Sequence, residues 1–362
     1  MNPPASFLPH RKLPGDFALA GACCRWTYSG EGADNLRALA SAVDWNEFVH
    51  ACRRHRVQGL ARHALSGLQV VLPAPAQVAL AGDARAVADQ GLRAAQASAR
   101  LAEAFATANV SLLFLKGLTL GQLAYGNPFL KMGWDIDILV EPGEVGAAAA
   151  LLGKLGYRLD LPREPSLLER WHASRKESVW RSGEGPIVEL HGRVADQPEL
   201  LPAISAISPS QCVSIAPGID LRTFADDELF AYLCVHGASS AWFRLKWITD
   251  LAAMLHGRRP EEIDSLYNRS QELGAGRAAA QALLLGAMLY DIPLSPALRV
   301  RLDTRVNRWL ARAALGEMLR GEPTERMLGT STIHLTQFFL LDGLRYKLSE
   351  LKRRALVAAD LY

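Results

Sequence analysis

The stretch GWDIDILVE, residues 133–141, reads as a buried β-strand that carries two acids. Asp135 and Asp137 alternate with apolar residues, so both carboxylates project from the same face of the strand. Two carboxylates placed so close together repel each other, and burial strengthens the repulsion. The strand therefore needs compensation, either from lysine or arginine partners and open water or from a bound cation.

A bound divalent cation neutralises the two carboxylates most directly. Mg²⁺ binds through one or two carboxylates together with substrate phosphates. A pair of such ions can hold the attacking and the leaving oxygen of an in-line displacement at phosphorus. We therefore predict that Asp135 and Asp137 bind Mg²⁺, with Mn²⁺ as the alternative ion.

The segment upstream, residues 110–126, predicts a phosphate-binding position beside these acids. It reads as a short apolar strand that ends at Gly117 and turns into a helix. Backbone N–H groups at a helix N-terminus bind anions, and Lys116 adds a positive charge there. Lys131, in the loop before the acidic strand, is predicted either to reach the same phosphate or to be an ordinary surface lysine.

A later stretch, IVELHGRV at residues 187–194, predicts a second strand with a polar centre. If this strand pairs beside the first, Glu189 supplies a third carboxylate to the same site. His191 lies two residues on and faces the same side. It is predicted either to bind the cofactor or to be a hydrogen-bonded core histidine.

Composition limits the class of protein. The chain has 362 residues, is 49% hydrophobic and carries a formal charge of +3, which gives no argument for binding a large nucleic acid. The basic run RRHR, residues 53–56, is interpreted as a solvated helix face. Long uncharged stretches are interrupted, and the N-terminus lacks the apolar stretch of a secretory signal. The protein is predicted to be soluble and cytoplasmic, with no membrane partner.

The pattern along the chain predicts an α+β protein with a small mixed β-sheet. We expect an N-terminal helical region over residues 1–108, an α/β core over 109–200 and a C-terminal helical region over 201–362. The five cysteines lack a CxxC motif. The adjacent pair Cys23 and Cys24 is predicted to be buried in a helix as small core residues.

A strand–Gly–helix turn, then Asp-x-Asp on a strand, then a later strand with a central Glu resembles the nucleotidyltransferase fold of the DNA polymerase β-like superfamily. More narrowly, LLFLKG, AYGNPFLKMGWDIDILVE and VELHGRV look like the bacterial family called uncharacterised nucleotidyltransferases. The helical segments at residues 44–65 and 233–255 are similar to parts of that family. The resemblance covers most of residues 40–260.

The resemblance implies a role for each acid and for the glycine turn. Asp135 and Asp137 would ligate the catalytic metals. Glu189 would ligate one metal and help to activate the acceptor hydroxyl. Gly117 and the helix start would hold the triphosphate of a nucleoside triphosphate such as ATP. The reaction implied is transfer of NMP to a hydroxyl with loss of pyrophosphate.

Two departures from the superfamily pattern affect the triphosphate contact. Leu118 follows Gly117 where a second glycine or a serine is usual, and the spacing from Gly117 to Asp135 is longer than in compact members. Two other functions therefore stay open: a catalytically impaired nucleotide-binding or scaffolding module, and transfer of a phosphoryl group from the same metal site.

The acceptor is expected to be a small molecule, a peptide or a protein in preference to a large RNA, because the net charge is near balance. The stretch at residues 346–354 is a local exception to this balance, because it is basic. Arg244 and Lys246 form a second candidate cluster with Trp242. They either contact base, ribose or acceptor, or belong to packed helices in which Trp242, Lys246 and Asp250 follow one another at i+4.

Overall fold

The computed structural model describes residues 13–25, 30–183, 185–322 and 329–359. Residues 1–12, part of the N-terminal stretch considered for a secretory signal, lie outside them. The protein divides into two compact units, one of residues 1–86 with 233–341 and the other of residues 87–232 with 342–362. These units are defined by compactness in space, whereas the three regions predicted above are consecutive stretches of chain. The division into three regions therefore stays a prediction.

The described residues form seven strands and sixteen α-helices. The strands are β1 (Leu113–Phe114), β2 (Asp135–Leu139), β3 (Arg158–Leu161), β4 (Glu177–Arg181), β5 (Ile187–His191), β6 (Ser210–Ala216) and β7 (Ile219–Phe224). The helices are α1 (Gly15–Cys23), α2 (Glu31–Ala42), α3 (Trp45–His55), α4 (Gln58–Gly67), α5 (Ala74–Thr107), α6 (Leu118–Tyr125), α7 (Val145–Lys154), α8 (Leu168–Ser174), α9 (Asp226–Ser239), α10 (Leu245–Met254), α11 (Pro260–Glu272), α12 (Gly276–Tyr290), α13 (Pro296–Leu302), α14 (Arg305–Met318), α15 (Ser331–Gln337) and α16 (Leu344–Ala359). Among the described helices, none combines the length and the apolar character that crossing a membrane requires.

A five-stranded mixed sheet with the strand order β1-β2-β5-β4-β3 is the centre of the second unit. β2 and β5 run parallel, and the other neighbours run antiparallel. The strands β1, β2 and β5 fall where the sequence analysis predicts strands. The protein is therefore α+β with a small mixed sheet, as predicted.

The hairpin of β6 and β7 was not predicted, because residues 201–362 were expected to be helical. Its strands pair antiparallel around Gly218, whose φ of 77° favours glycine. Val213, Ile215 and Leu221 bury their side chains in the same core as the main sheet. The hairpin thus extends the core of the second unit.

One face of the main sheet is apolar and packs against helices. Apolar side chains of β2 and β5 are buried in one cluster with side chains of α5 and α7. The residues that β2 and β5 contribute to this cluster are Ile136, Ile138, Val188 and Leu190. Because side chains alternate along a strand, the acids between them lie on the opposite face. The sheet thus holds the core on one side and the candidate site on the other.

The first unit is helical, and two predictions fall in it. Cys23 and Cys24 are buried, which confirms that they are core residues. The interpretation of residues 53–56 as a solvated face is wrong at His55, which is buried, and at Arg54, whose guanidinium donates to the carbonyl of Met318 at 2.8 Å. The run fails as one face because consecutive helical residues point in different directions, and His55 points inward.

Candidate active site

The parallel pairing of β2 and β5 brings the predicted acids together. Asp137 lies opposite Glu189, and Leu139 lies opposite His191. Neighbouring strands are about 4.8 Å apart, and Asp135 precedes Asp137 by two residues on the same face. The expectation that the strand of Glu189 pairs beside the strand of the two aspartates is confirmed.

Lys116 contacts both aspartates of β2. Its Nζ binds Asp137 Oδ2 and lies 3.7 Å from Asp135 Oδ2. Burial disfavours the charged ammonium, but Asp135 and Asp137 outweigh it and hold the pKa of Lys116 well above its usual range. Lys116, expected beside a phosphate, is thus a counter-ion of the acidic pair.

His191 is buried beneath the carboxylates. Its Nε2 is 3.3 Å from Asp137 Oδ1 and 3.8 Å from Glu189 Oε2. It is also 3.3 Å from Oε2 of Glu177, which lies opposite His191 in β4. Burial would lower the pKa of His191, but the surrounding carboxylates, Glu177 first, raise it to about 9. At neutral pH the ring is therefore a cation that donates from Nε2 into the acidic group.

Glu177 is the functional candidate that sequence reasoning missed. Its carboxylate binds the ammonium of the adjacent Lys176 as well as facing His191. Burial alone would raise the pKa of Glu177, but Lys176 and His191 lower it. The available signal was weak, because a single acid at the start of a strand is common, and only the antiparallel pairing with β5 places it at the site.

The two opposed acids differ electrostatically. Burial alone would raise the pKa of Asp137, but Lys116 and His191 hold it well below its usual range. Burial raises the pKa of Glu189, with Asp137 adding to this and the hydrogen bond with His191 opposing it. Asp137 is therefore the fixed negative charge of the group, and Glu189 is the carboxylate that takes a proton more readily.

The group has the donors that a hard cation binds. Carboxylate oxygens of Asp137 and Glu189 and a ring nitrogen of His191 lie within 4.8 Å of one another. Because the protonated ring donates to the carboxylates, the two carboxylates are the candidate ligands. Asp135 stands outside this set of three and is linked to it through Lys116. The side chains of Asp135 and Glu189 are 30% and 23% exposed, so both are reachable from solvent. Carboxylate oxygens at this spacing suit Mg²⁺.

The turn before α6 has the backbone conformation that the sequence indicates. Gly117 has φ 75° and ψ −120°, which only glycine adopts readily, and it caps the helix N-terminus. Gly117, Lys116, Thr119, Lys131 and Asp135 line one cleft. Lys131 is buried, so the alternative of an ordinary surface lysine is wrong.

The second predicted cluster lies in the first unit. Arg244 donates to the carbonyl of Arg54 at 2.8 Å and to Glu322 at 3.3 Å. Trp242 is in a turn with φ 52°, ahead of α10, so the predicted helical spacing from Trp242 to Lys246 is wrong. The turn arises because the fully buried Trp242 packs over Gly237. Lys246 is buried within α10.

The chain matches the model of a known protein family. A family model described as uncharacterised nucleotidyltransferase matches residues 41–291, which is more than half of the 362 residues. No curated protein matches the chain. The matched range contains the turn at Gly117, the acids of β2, and Glu177, Glu189 and His191. The protein therefore belongs to the uncharacterised nucleotidyltransferase family.

Proposed function

We propose that the protein is a Mg²⁺-dependent nucleotidyltransferase that transfers NMP from a nucleoside triphosphate to a hydroxyl acceptor. The observation that carries the proposal is the opposition of Asp137 and Glu189 on parallel strands, with Asp135 on the same face. Membership of the family supports the class of reaction. Because β2 and β5 pair in this register, Glu189 lies beside Asp135 and Asp137 as a third acid.

In this proposal Asp135, Asp137 and Glu189 hold the metal, because their oxygens are the donors that Mg²⁺ prefers. Bound there, the ion neutralises phosphate charge and polarises the phosphoryl group. His191 positions Asp137 by donating a hydrogen bond to Oδ1 at 3.3 Å. A buried hydrogen-bond donor of this kind orients a carboxylate ligand.

The proposed reaction balances as a displacement at the α-phosphorus. The acceptor oxygen forms a bond to that phosphorus, and the bond from the phosphorus to the oxygen bridging to the β-phosphate breaks. Pyrophosphate leaves with the electron pair of that bond. The hydroxyl proton passes to the carboxylate of Glu189 and then to solvent. Glu189 suits this role because its side chain is 23% exposed.

The triphosphate is proposed to bind where α6 begins. First-turn N–H groups of a helix bind anions, and Lys116 and Lys131 line the same cleft. Leu118 brings no hydroxyl to the position where the superfamily usually has serine. Thr119 lies one residue further on and lines this cleft, so its hydroxyl is the proposed replacement.

A second function is favoured by the contacts of Lys116. This lysine and His191 already balance the charge of Asp137. The acids therefore do not by themselves require a metal, and a binding module of the same fold could retain them. Such a module would bind a nucleotide without turning it over.

The deciding experiment is calorimetry with each of the four NTPs, with and without Mg²⁺. We expect metal-dependent binding that is lost in Asp135→Asn/Asp137→Asn and kept in Asp220→Asn, an exposed acid on β7. Release of pyrophosphate identifies nucleotidyl transfer, and release of orthophosphate identifies phosphoryl transfer. Binding that survives without metal and without both aspartates would point to the binding module.

A further inference from the structure

A basic pocket lies where the chain approaches β4 and leaves β5. Arg175, Arg193, Lys352 and Arg353 contribute four cationic side chains to its lining, and Asp196 contributes a carboxylate. Three chain segments meet here: the end of α8, the loop after β5, and the C-terminal helix α16. Lys352 and Arg353 belong to the basic stretch at residues 346–354, which the sequence analysis gives as the local exception to the balanced charge.

The chain next to the catalytic strands forms one wall of this pocket. Arg175 comes two residues before Glu177, and Arg193 comes two residues after His191. The N–H of Gly192 donates to the carbonyl of Lys176 at 3.0 Å, which ties the two segments together. The pocket therefore adjoins the proposed active site along the backbone.

The helix α16 forms the opposite wall and is held by hydrogen bonds. Gln197 donates to the hydroxyl of Ser349 at 3.3 Å. Glu350 accepts from Arg353 at 2.7 Å and lies 2.7 Å from Arg354 Nε. The carboxylate of Glu350 thus contacts two arginines of the helix, so the net charge of this wall is positive.

Arg193 has a donor available inside the pocket. Its Nε is buried, and among the described residues it has no hydrogen-bond acceptor. Nη1 reaches the carbonyl of Ala173 only at 3.5 Å. Burial lowers the pKa of Arg193; the charge of Asp196 opposes this effect, and the charge of Arg353 adds to it. An anion between these side chains would satisfy the donor and relieve the repulsion.

We propose that this pocket binds a phosphate group carried by the acceptor, an inference that rests on the proposed function. Guanidinium groups bind phosphate through paired N–H donors, and a lysine adds a point charge. Asp196 is the only carboxylate in the lining of the pocket as described, so the lining keeps a net positive charge. In this proposal the acceptor binds here through its phosphate and carries the reacting hydroxyl elsewhere in the same molecule.

The phosphate could be part of a small phosphorylated molecule or of a nucleic-acid end. The two sources are separated by titrating ribose 5-phosphate, with ribose as its control, and a fluorescein-labelled short single-stranded RNA. We expect ribose 5-phosphate to bind and ribose not to bind. Binding of the RNA alone would support the same pocket with a nucleic-acid acceptor.

The variants are Arg193→Gln and Lys352→Gln, the second at an exposed position where folding is not at risk. Loss of a charge-assisted contact is expected to weaken phosphate binding about tenfold or more in Arg193→Gln. Lys352→Gln is expected to weaken it less. Arg345→Gln removes an exposed charge from the same helix outside the pocket and is expected to change the affinity less than about twofold.

The proposal is overturned if neither probe binds, or if both variants bind the probes as well as Arg345→Gln does. Asp135→Asn, which leaves the buried contacts of Asp137 intact, separates this result from the proposed function. That variant is expected to keep phosphate binding and to lose Mg²⁺-dependent NTP binding. Arg193→Gln is expected to show the reverse. If the wild-type protein binds no NTP, the proposed transferase function is rejected. The phosphate-binding result for the pocket is then judged independently of it.

Discussion

Asp137 and His191 form a buried pair in which the histidine Nε2 lies 3.3 Å from the carboxylate Oδ1. Lys116 binds the other oxygen of the same carboxylate. A single aspartate therefore joins a lysine from the end of β1 to a histidine from the end of β5. The stability of the second unit and the geometry of the proposed site depend on the same contact.

Asp137→Asn is expected to lower the free energy of unfolding by about 3–5 kcal/mol, because it leaves buried cations without their counter-charge. Asp135→Asn is expected to cost clearly less, because the Asp135 side chain is 30% exposed, lies 3.7 Å from Lys116 Nζ and leaves Asp137 as the counter-charge of that lysine. Urea denaturation of both variants measures the difference. Adding Lys116→Met to Asp137→Asn should recover part of the loss. Equal losses in the two single variants would contradict this account.

Glu189→Gln is expected to slow Mg²⁺-dependent pyrophosphate release by about 10²–10⁴-fold, the usual contribution of a general base. Nucleotide affinity should fall much less, because Asp135 and Asp137 remain. Steady-state assays of pyrophosphate release and calorimetry separate the two quantities. Glu164→Gln, at an exposed acid outside the site, is the control. A Glu189→Gln enzyme with unchanged turnover would remove Glu189 from the mechanism.

The predictable residues of the site are those whose position follows from residue type and from the alternation of side chains along a strand. Alternation fixes the common face of Asp135 and Asp137, and an acid within an apolar strand marks Glu189. Glu177 was not predictable, because its place depends on which strands pair and in which register. The contact of Lys116 with the two aspartates was equally unpredictable, because its long side chain could reach either a phosphate or a carboxylate.

The fold was predictable for β1, β2 and β5 of the main sheet, whose apolar runs end at turn residues. The prediction of a helical region over residues 201–362 misses the hairpin of β6 and β7. Its alternation around Gly218 was the available signal. The role of α16 could not be predicted, because its basic residues meet Arg175 and Arg193 only in three dimensions.

Gly237 and Gly146 provide a matched pair of helical glycines. A Cβ on Gly237 would lie 2.5 Å from the ring of Trp242, which is fully buried, whereas a Cβ on Gly146 meets nothing within 4 Å. Gly237→Ala is expected to destabilise the protein by about 1–3 kcal/mol through overpacking. Gly146→Ala is expected to stabilise it by about 0.5–1 kcal/mol, because alanine favours the helix. Thermal denaturation distinguishes the two, and a stabilising Gly237→Ala would mean that Trp242 can move aside.

His55 is expected to make the first unit sensitive to acid. Its Nδ1 accepts from the N–H of Leu245 at 3.1 Å, and Arg54 lies 2.9 Å from Nε2. Burial lowers the pKa of His55 to about 3, and the charges of Arg54 and Arg244 add to the effect. The folded protein therefore keeps this ring neutral at pH values where an unfolded histidine is already protonated.

The sign follows from the two pKa values. An unfolded histidine titrates near pH 6.5, so below that pH the unfolded chain binds a proton that the folded protein does not. The free energy of unfolding should fall as the pH drops, by about 2 kcal/mol between pH 7.5 and 5 from this residue alone. Denaturation at both pH values measures it. His55→Gln should lose that part of the pH dependence, while His50→Gln, exposed on the same helix, should keep it. If the two variants respond to pH alike, His55 is not the group that titrates.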